Sequence, residues 1–203
     1  LFGYVGSGGQ IKNLGAVNVN ITGYDYVGGL IGWNEAGSIT SCYITGSVRG
    51  DFIVGGLVGY NDNGLITSCY ATGEVRGMFD VGGLVGENYN GPLTSCYAAG
   101  SVSGDFYVGG LAGRNSGPIT FCYSSSSILG YNLYMCGGLV GVNDGPINSC
   151  FVTGQINDVY DACYVGGLVG YNNNEGAISN CYSRGSVACG ADSYAVGGLV
   201  GWN

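Results

Sequence analysis

One string of residues recurs along the whole chain and limits what the chain can fold into. It reads Val-Gly-Gly-Leu, then Val, Ile or Ala, then Gly, any residue and Asn; in one copy Cys136 replaces the leading valine. Seven copies lie 27 to 31 residues apart, and their first glycines are Gly28, Gly55, Gly82, Gly109, Gly137, Gly166 and Gly197. A period of this length indicates stacked structural repeats.

A second string lies between successive copies of the first. Its clearest copy, Gly-Leu-Ile-Thr-Ser-Cys-Tyr-Ala-Thr-Gly-Glu-Val, runs from Gly64 to Val75. Its cysteine recurs at Cys42, Cys69, Cys96, Cys122, Cys150 and Cys181. The aromatic residue after that cysteine recurs at Tyr43, Tyr70, Tyr97, Tyr123, Phe151 and Tyr182. The first repeat, residues 1–27, is divergent, and Leu14 stands near the expected cysteine position.

The local pattern favours strands and turns over helices. Glycine supplies 43 of the 203 residues, and each glycine inside a helix costs about 1 kcal/mol relative to alanine. The apolar runs are short, β-branched and bounded by Gly, Asn or Asp, as strands are. We therefore predict an all-β fold: one β-solenoid (parallel β-helix) domain over residues 1–203, with about seven coils of two or three strands each. A β-propeller is the alternative, but its blades need about 40 or more residues.

Stacked coils would place identical residues in ladders about 4.8 Å apart. The asparagine that ends the first string predicts a hydrogen-bonded ladder, formed by Asn34, Asn61, Asn88, Asn115, Asn143, Asn172 and Asn203. The alternative is a calcium site helped by Glu35, Asp62, Asp144 and Glu175. Calcium-binding solenoids repeat every nine residues, and these acidic residues do not recur in the column, so we predict no metal site.

The aromatic column predicts stacked rings, and binding of a sugar or a surface stays open as its alternative role. A second aromatic set precedes the first string, at Tyr26, Phe52, Phe79, Tyr107, Tyr134, Tyr160 and Tyr194. A bend between Ile66 and Cys69 would turn the column cysteines inward as small buried groups. Parallel Cβ vectors are poor disulfide geometry, so we expect free thiols there. Cys163 and Cys189, in lengthened loops of adjacent coils, are the candidate disulfide.

Charge and composition exclude several functions. The net charge is −8 and only 9% of residues are charged, which leaves no basic footprint for nucleic acid or an anionic membrane surface. No run of about 20 apolar residues predicts a membrane-spanning helix. The chain has no histidine, the commonest general base, and we predict no catalytic residues and no cofactor. A sugar-cleaving enzyme would need clustered carboxylates, whereas these drift in register: Asp51, Asp80, Asp105, Asp161 and Asp192.

Two features predict assembly. If the first string forms one continuous strand, Val54 and Val58 lie on one face and Leu57 on the other. One aliphatic row would then form an exposed lateral stripe, which usually marks an interface. The last repeat, ending at Trp202 and Asn203, shows no polar cap, and open coils expose unpaired backbone. We therefore expect self-association, end to end or laterally, or a segment of a longer solenoid.

Gly-Gly-Leu-Val-Gly repeated at this spacing resembles the GLUG-motif repeat over essentially the whole chain. The resemblance implies an extracellular or cell-surface location and a scaffold or adhesive role, with no catalytic residues to transfer. We predict a non-enzymatic structural protein, a subunit or segment of an extracellular fibre, sheath or adhesin stalk. The alternative is an adhesin module that binds a glycan or a host or cell-surface protein through a Tyr/Asn-rich lateral face.

Overall fold

A computed structural model describes residues 1–131, 133–158, 160–173 and 176–203. Over these residues the chain is a parallel β-solenoid of about seven turns, so the predicted fold is confirmed. The described part of the chain contains only strands, turns and bends. Accordingly, no helix in it is long and apolar enough to cross a membrane.

Each coil contributes to four parallel sheets, numbered here in chain order. Sheet 1 contains Phe2–Val5, Ile31–Glu35, Val58–Asp62, Val85–Tyr89, Ala112–Asn115, Val140–Asn143, Val169–Asn172 and Val200–Trp202. Sheet 2 contains Gln10–Lys12, Ser38–Thr40, Leu65–Thr67, Leu93–Thr94, Ile119–Thr120, Ile147–Asn148 and Ile178–Ser179.

Sheet 3 is the widest, and its strands divide in two toward the C-terminal coils. It contains Gly15–Thr22, Tyr43–Arg49, Tyr70–Arg76, Tyr97–Ser103, Tyr123–Ser124, Ser127–Gly130, Phe151–Val152, Ile156–Asp158, Tyr182–Ser183 and Val187–Ala188. Sheet 4 contains Asp25–Gly28, Phe52–Gly55, Phe79–Gly82, Phe106–Gly109, Tyr134–Gly137, Cys163–Gly166 and Tyr194–Gly197. Each coil thus has at least four strands where two or three were predicted, because bends interrupt both repeated strings.

The bend predicted between Ile66 and Cys69 is present. Ser68 has a φ of 54°, a left-handed conformation that breaks the alternation of side chains along a strand. The same position is left-handed at Ser41, Ser95, Phe121, Ser149 and Asn180. This bend joins sheet 2 to sheet 3, and it turns both Ile66 and Cys69 into the interior, where each is fully buried.

The interior holds two separate clusters of apolar side chains. The first lies among sheets 1, 2 and 3 and contains Leu57, Val58 and Ile44; the second lies between sheets 3 and 4 and contains Val54 and Val48. Val54, Leu57 and Val58 are all 0% exposed. The predicted lateral stripe was therefore wrong: the chain turns after Gly55, so that Val54 faces the second cluster while Leu57 and Val58 both face the first.

The glycines of the first string allow this double-core arrangement. A Cβ atom on Gly59 would lie 2.6 Å from the backbone carbon of Tyr26, so sheets 1 and 4 touch backbone to backbone. A Cβ atom on Gly56 would lie 2.9 Å from the Ala71 Cβ, at the boundary between the clusters. Real Cβ atoms almost never approach other atoms within 3.0 Å. Only glycine therefore fits this seam between the sheets.

Candidate functional site

The asparagine column forms a continuous hydrogen-bonded ladder, as predicted. In Asn61, for example, Nδ2 donates to Asn88 Oδ1 at 2.7 Å and to the Gly64 carbonyl at 2.8 Å. The donor-to-acceptor distances between successive asparagines are 2.7–2.9 Å from Asn34 through to Asn203. Both amide hydrogens are thus used in each coil, one along the axis and one within the turn.

This ladder cannot be part of a lateral binding face. The asparagines from Asn34 to Asn143 are 0% exposed, so the Asn half of the Tyr/Asn-rich face was wrong. The carboxylates considered as calcium ligands bond to neighbouring side chains: Asp62 accepts from Asn63 at 2.6 Å and Asp144 from Asn173 at 2.7 Å. Glu35 accepts from the Tyr4 hydroxyl, and Glu175 lies outside the described residues.

The ladder begins with an unmet acceptor. Val5 occupies the asparagine position of the first coil, paired in register with Asn34. Asn34 Oδ1 is consequently buried without a hydrogen-bond partner. A buried acceptor left unpaired costs roughly 1–3 kcal/mol, so the divergent first repeat carries an energetic penalty that the later coils avoid.

The cysteine column points inward, as predicted, with the first four members 0% exposed. Cys69 Sγ accepts from the Cys42 backbone N–H at 3.4 Å and donates to the Thr67 carbonyl at 3.2 Å. All nine cysteines of the chain are free thiols in the structure. Hydrogen bonding to Cys96 and burial raise the pKa of Cys69, and burial raises that of Cys136 well above its usual value. Such thiols are poor nucleophiles.

The predicted disulfide between Cys163 and Cys189 was wrong, since both are free. Cys163 begins a strand of sheet 4, in register between Tyr134 and Tyr194 of the neighbouring coils. Cys189 follows a strand of sheet 3 and packs against the second cluster. The two side chains therefore belong to different columns, and the shared lengthening of their loops does not bring the sulfurs together.

The tyrosine column stacks face to face, as predicted. Ring centroids from Tyr43 through Phe151 to Tyr182 are 4.8–5.3 Å apart with interplanar angles of 4–8°. Each inner ring therefore has both faces covered by its neighbours. A sugar ring packs onto the face of an aromatic ring, so this column is unsuited to sugar binding by stacking.

The second aromatic set does not form one column. Phe52, Phe79, Phe106 and Tyr134 pair in register at the start of sheet 4 strands. Tyr26 and Tyr107 belong to the next position, which is left-handed, with φ of 51° and 56°. Tyr194 returns to the first column beyond Cys163, whereas Tyr160 lies in a connection between strands. The predicted set was therefore a mixture of neighbouring columns.

A charged cluster that sequence reasoning missed covers the glycine seam from outside. Arg114 Nε donates to Asp80 Oδ1 at 3.2 Å, and its guanidinium lies 4.8 Å from the Tyr107 ring centroid. Glu87 pairs in register with Arg114. Burial raises the pKa of Asp80, and Arg114 opposes that shift. Burial and the nearby Asp80 charge raise the pKa of Glu87, and Arg114 opposes that shift as well. Glu87 and Arg114 occupy the variable position of two consecutive copies of the first string. These opposite charges at one repeat position were the sequence pattern that could have indicated the cluster.

A groove lies where the connections from sheet 3 to sheet 4 lengthen. These connections have two residues in the coils ending at Arg49, Arg76 and Ser103, then three, four and five in the next coils. The groove has a volume of about 490 Å³, within the usual range for ligand sites of roughly 300–1,000 Å³. Its lining includes Glu74, Arg76, Ser103, Asp105, Leu129 and Tyr131. The lengths of these connections can be counted in the sequence, but they do not show that a concave surface forms beside them.

Four parallel sheets, two interior clusters and a buried asparagine ladder define a β-solenoid repeat protein. A family model described as the GLUG motif matches residues 23–49, 50–76, 79–103 and 161–188, more than half of the chain. The chain therefore belongs to the GLUG-motif family.

Comparison with solved structures supports the fold. The chain is similar to one described as "a putative immunoglobulin A1 protease from Bacteroides ovatus", with 21% sequence identity and a TM-score of 0.67. The match covers 94% of this chain and 67% of that chain. A search of curated proteins found no match.

Proposed function

We propose that this chain is a non-enzymatic structural segment of an extracellular or cell-surface protein, acting as a rigid rod. The observation that carries the proposal is the unbroken asparagine ladder, which ties each coil from Asn34 onward to the next inside the protein. Seven steps of about 4.8 Å give a rod roughly 34 Å long.

The mechanism of a structural rod is resistance to bending and slippage. Shifting one coil against the next would break parallel backbone hydrogen bonds in all four sheets together with an Asn–Asn bond. A one-residue slip would also move buried side chains of both clusters to the outside. Low charge leaves little electrostatic repulsion along the rod.

The charged residues support a non-catalytic role. Arg49 and Arg76 both pair with Glu74, and Arg114 pairs with Asp80. In these ion pairs the charged groups bind each other, whereas an active site would leave them able to contact a substrate. Incubation with immunoglobulin A1 tests this part of the proposal, because the similar structure is named as a putative protease of that substrate. We expect intact heavy chains on a gel, and a specific cleavage product would contradict the proposal.

Self-association through coil ends is a further part of the proposal, since the end of any parallel stack exposes backbone donors and acceptors. Lateral association has lost its basis, because the apolar rows are interior. Electron microscopy combined with sedimentation over a hundredfold concentration range tests both ideas. Straight rods are expected; filaments with an axial repeat near 34 Å would establish end-to-end assembly, and flexible or collapsed particles would refute the rigid rod.

A second candidate function, adhesion to a glycan or protein, is favoured by one observation. The lengthened connections build the groove beside Tyr131, a local departure from an otherwise regular surface. Isothermal titration with soluble oligosaccharides discriminates this function from that of a rod alone.

A further inference from the structure

The groove beside Tyr131 lies where a two-residue connection is followed by a longer one in the next coil. The connection at Gly104 and Asp105 has two residues, whereas that of the next coil has three and carries Tyr131. Gly104, Asp105 and Tyr131, from both connections, line the groove together with residues of sheet 3.

The floor of the groove runs along the solenoid axis. Arg76, Ser103, Leu129 and Asn157 line it, and they occupy one column of sheet 3 in successive coils. Three ladder steps of about 4.8 Å make this floor roughly 14 Å long. A floor of that length accommodates an extended chain molecule of two or three small rings.

Tyr131 supplies an exposed aromatic ring to the groove, unlike the inner rings of the stacked column. Tyr131 is 67% exposed; Tyr160, which is 56% exposed, lies beside it and is not part of the groove lining. Their ring centroids are 6.2 Å apart and the rings are tilted by 42°, compared with 4–8° along the stacked column. Leu129, 49% exposed, adds an apolar surface beside Tyr131. The groove thus offers an exposed aromatic ring and an apolar side chain, against which the apolar face of a sugar ring can pack.

The polar lining favours a neutral ligand. Glu74 lies 2.9 Å from Arg49 Nη2 and also contacts Arg76, so both guanidinium groups are already paired. Asp105 is exposed and has no ion pair within the described part of the chain. Its carboxylate would accept hydrogen bonds from hydroxyl groups and repel acidic sugars. The Ser103 hydroxyl adds a neutral donor and acceptor.

We propose that this groove binds a neutral oligosaccharide, with two or three pyranose rings along the floor and one packed against Tyr131. The proposal deepens the second candidate function and rests on it. Its failure would leave the rigid-rod function intact, because the groove contains no member of the asparagine ladder.

Isothermal titration with soluble hexasaccharides tests the proposal. The probes are cellohexaose, maltohexaose, mannohexaose and chitohexaose, with hexagalacturonic acid as the acidic comparison. We expect at least one neutral probe to bind with a Kd below about 1 mM, and the acidic probe to bind at least tenfold more weakly. Binding by no neutral probe, or preference for the acidic one, would overturn the proposal.

Matched variants locate the site. Tyr131→Ala should weaken binding at least tenfold, whereas Tyr24→Ala should leave it unchanged, because Tyr24 is equally exposed, at 67%, but lies outside the groove. Asp105→Ala should also weaken binding, through loss of hydroxyl contacts. All three variants should keep the thermal midpoint of the parent within a few degrees. Equal affinities for the Tyr131 and Tyr24 variants would place any binding elsewhere and refute the proposed site.

Discussion

Replacing Asn88 by alanine should destabilise the rod by an amount that the ladder geometry specifies. Asn88 accepts from Asn61 Nδ2 at 2.7 Å, and donates to Asn115 Oδ1 at 2.8 Å and to the Gly91 carbonyl at 2.7 Å. Its removal leaves one amide hydrogen and two oxygens without partners in a site that is 0% exposed. At roughly 1–3 kcal/mol for each orphaned group, the expected loss is at least about 3 kcal/mol.

Asn34→Ala is the matched comparison. Asn34 makes only two ladder bonds, to Asn61 Oδ1 and the Gly37 carbonyl, and its own Oδ1 is already unpartnered. Its replacement leaves fewer hydrogen-bonding groups without partners and removes the unpartnered Oδ1. The expected loss in the free energy of unfolding is therefore smaller by about 2 kcal/mol or more. Both sites are equally buried, which keeps the burial contribution similar.

Equilibrium unfolding in guanidinium chloride, followed by circular dichroism, measures both losses through the shift of the midpoint at an unchanged slope. A wild-type chain and Asn20→Ala, an exposed asparagine outside the ladder, provide the baseline. If Asn88→Ala costs under about 1 kcal/mol, or if Asn34→Ala costs as much as Asn88→Ala, the reasoning about buried orphaned groups is refuted.

Three further outcomes follow from the structure. Gly83→Ala should cost more than about 2 kcal/mol, since its Cβ would lie 2.9 Å from the Ala98 Cβ, whereas Gly198→Ala, in the same column with nothing within 4 Å, should change the unfolding midpoint little. Burial raises the pKa of Asp80 and Glu87, so their contribution to stability is present at acid pH and is lost as pH rises through the raised values. Arg114→Ala should enlarge that loss between pH 4 and 7 in unfolding titrations, and an unchanged pH profile would contradict the role of the ion pair. A thiol reagent should modify at most three cysteines in the native protein and nine after unfolding, the reactive ones being the half-exposed Cys163, Cys181 and Cys189; rapid native modification of more than three would disprove the inward column.

Repetition made the fold predictable, because identical positions in successive coils must occupy identical surroundings. The same logic identified the asparagine ladder and, through the bend at Ser68, the inward cysteines. Alternation failed where the backbone leaves the extended region. Ile53 has a φ of 51°, and the chain turns after Gly55. Strict alternation of side chains from Val54 to Val58 therefore predicted one exposed face, whereas the side chains enter two buried clusters.

Candidate sites were harder to predict, because they depend on which columns face each other across the seam. The contact of Arg114 with Asp80 joins residues 34 positions apart, a separation longer than one repeat. The groove is lined by residues of two connections of unequal length and by one column of sheet 3. Neither relation is visible in a single repeat, although the lengthened loops were apparent in the sequence.

The asparagine ladder makes the rod electrically polar. Backbone hydrogen bonds between coils run both ways along the axis, as in Leu30 N to Leu57 O and Tyr70 N to Cys42 O. The side-chain amides, by contrast, all donate toward the higher-numbered coil, from Asn34 Nδ2 to Asn203 Oδ1. Aligned amide dipoles add, and chains of hydrogen bonds polarise one another. Each added coil therefore lengthens one dipole inside the buried interior, so that the two ends of the rod differ electrostatically.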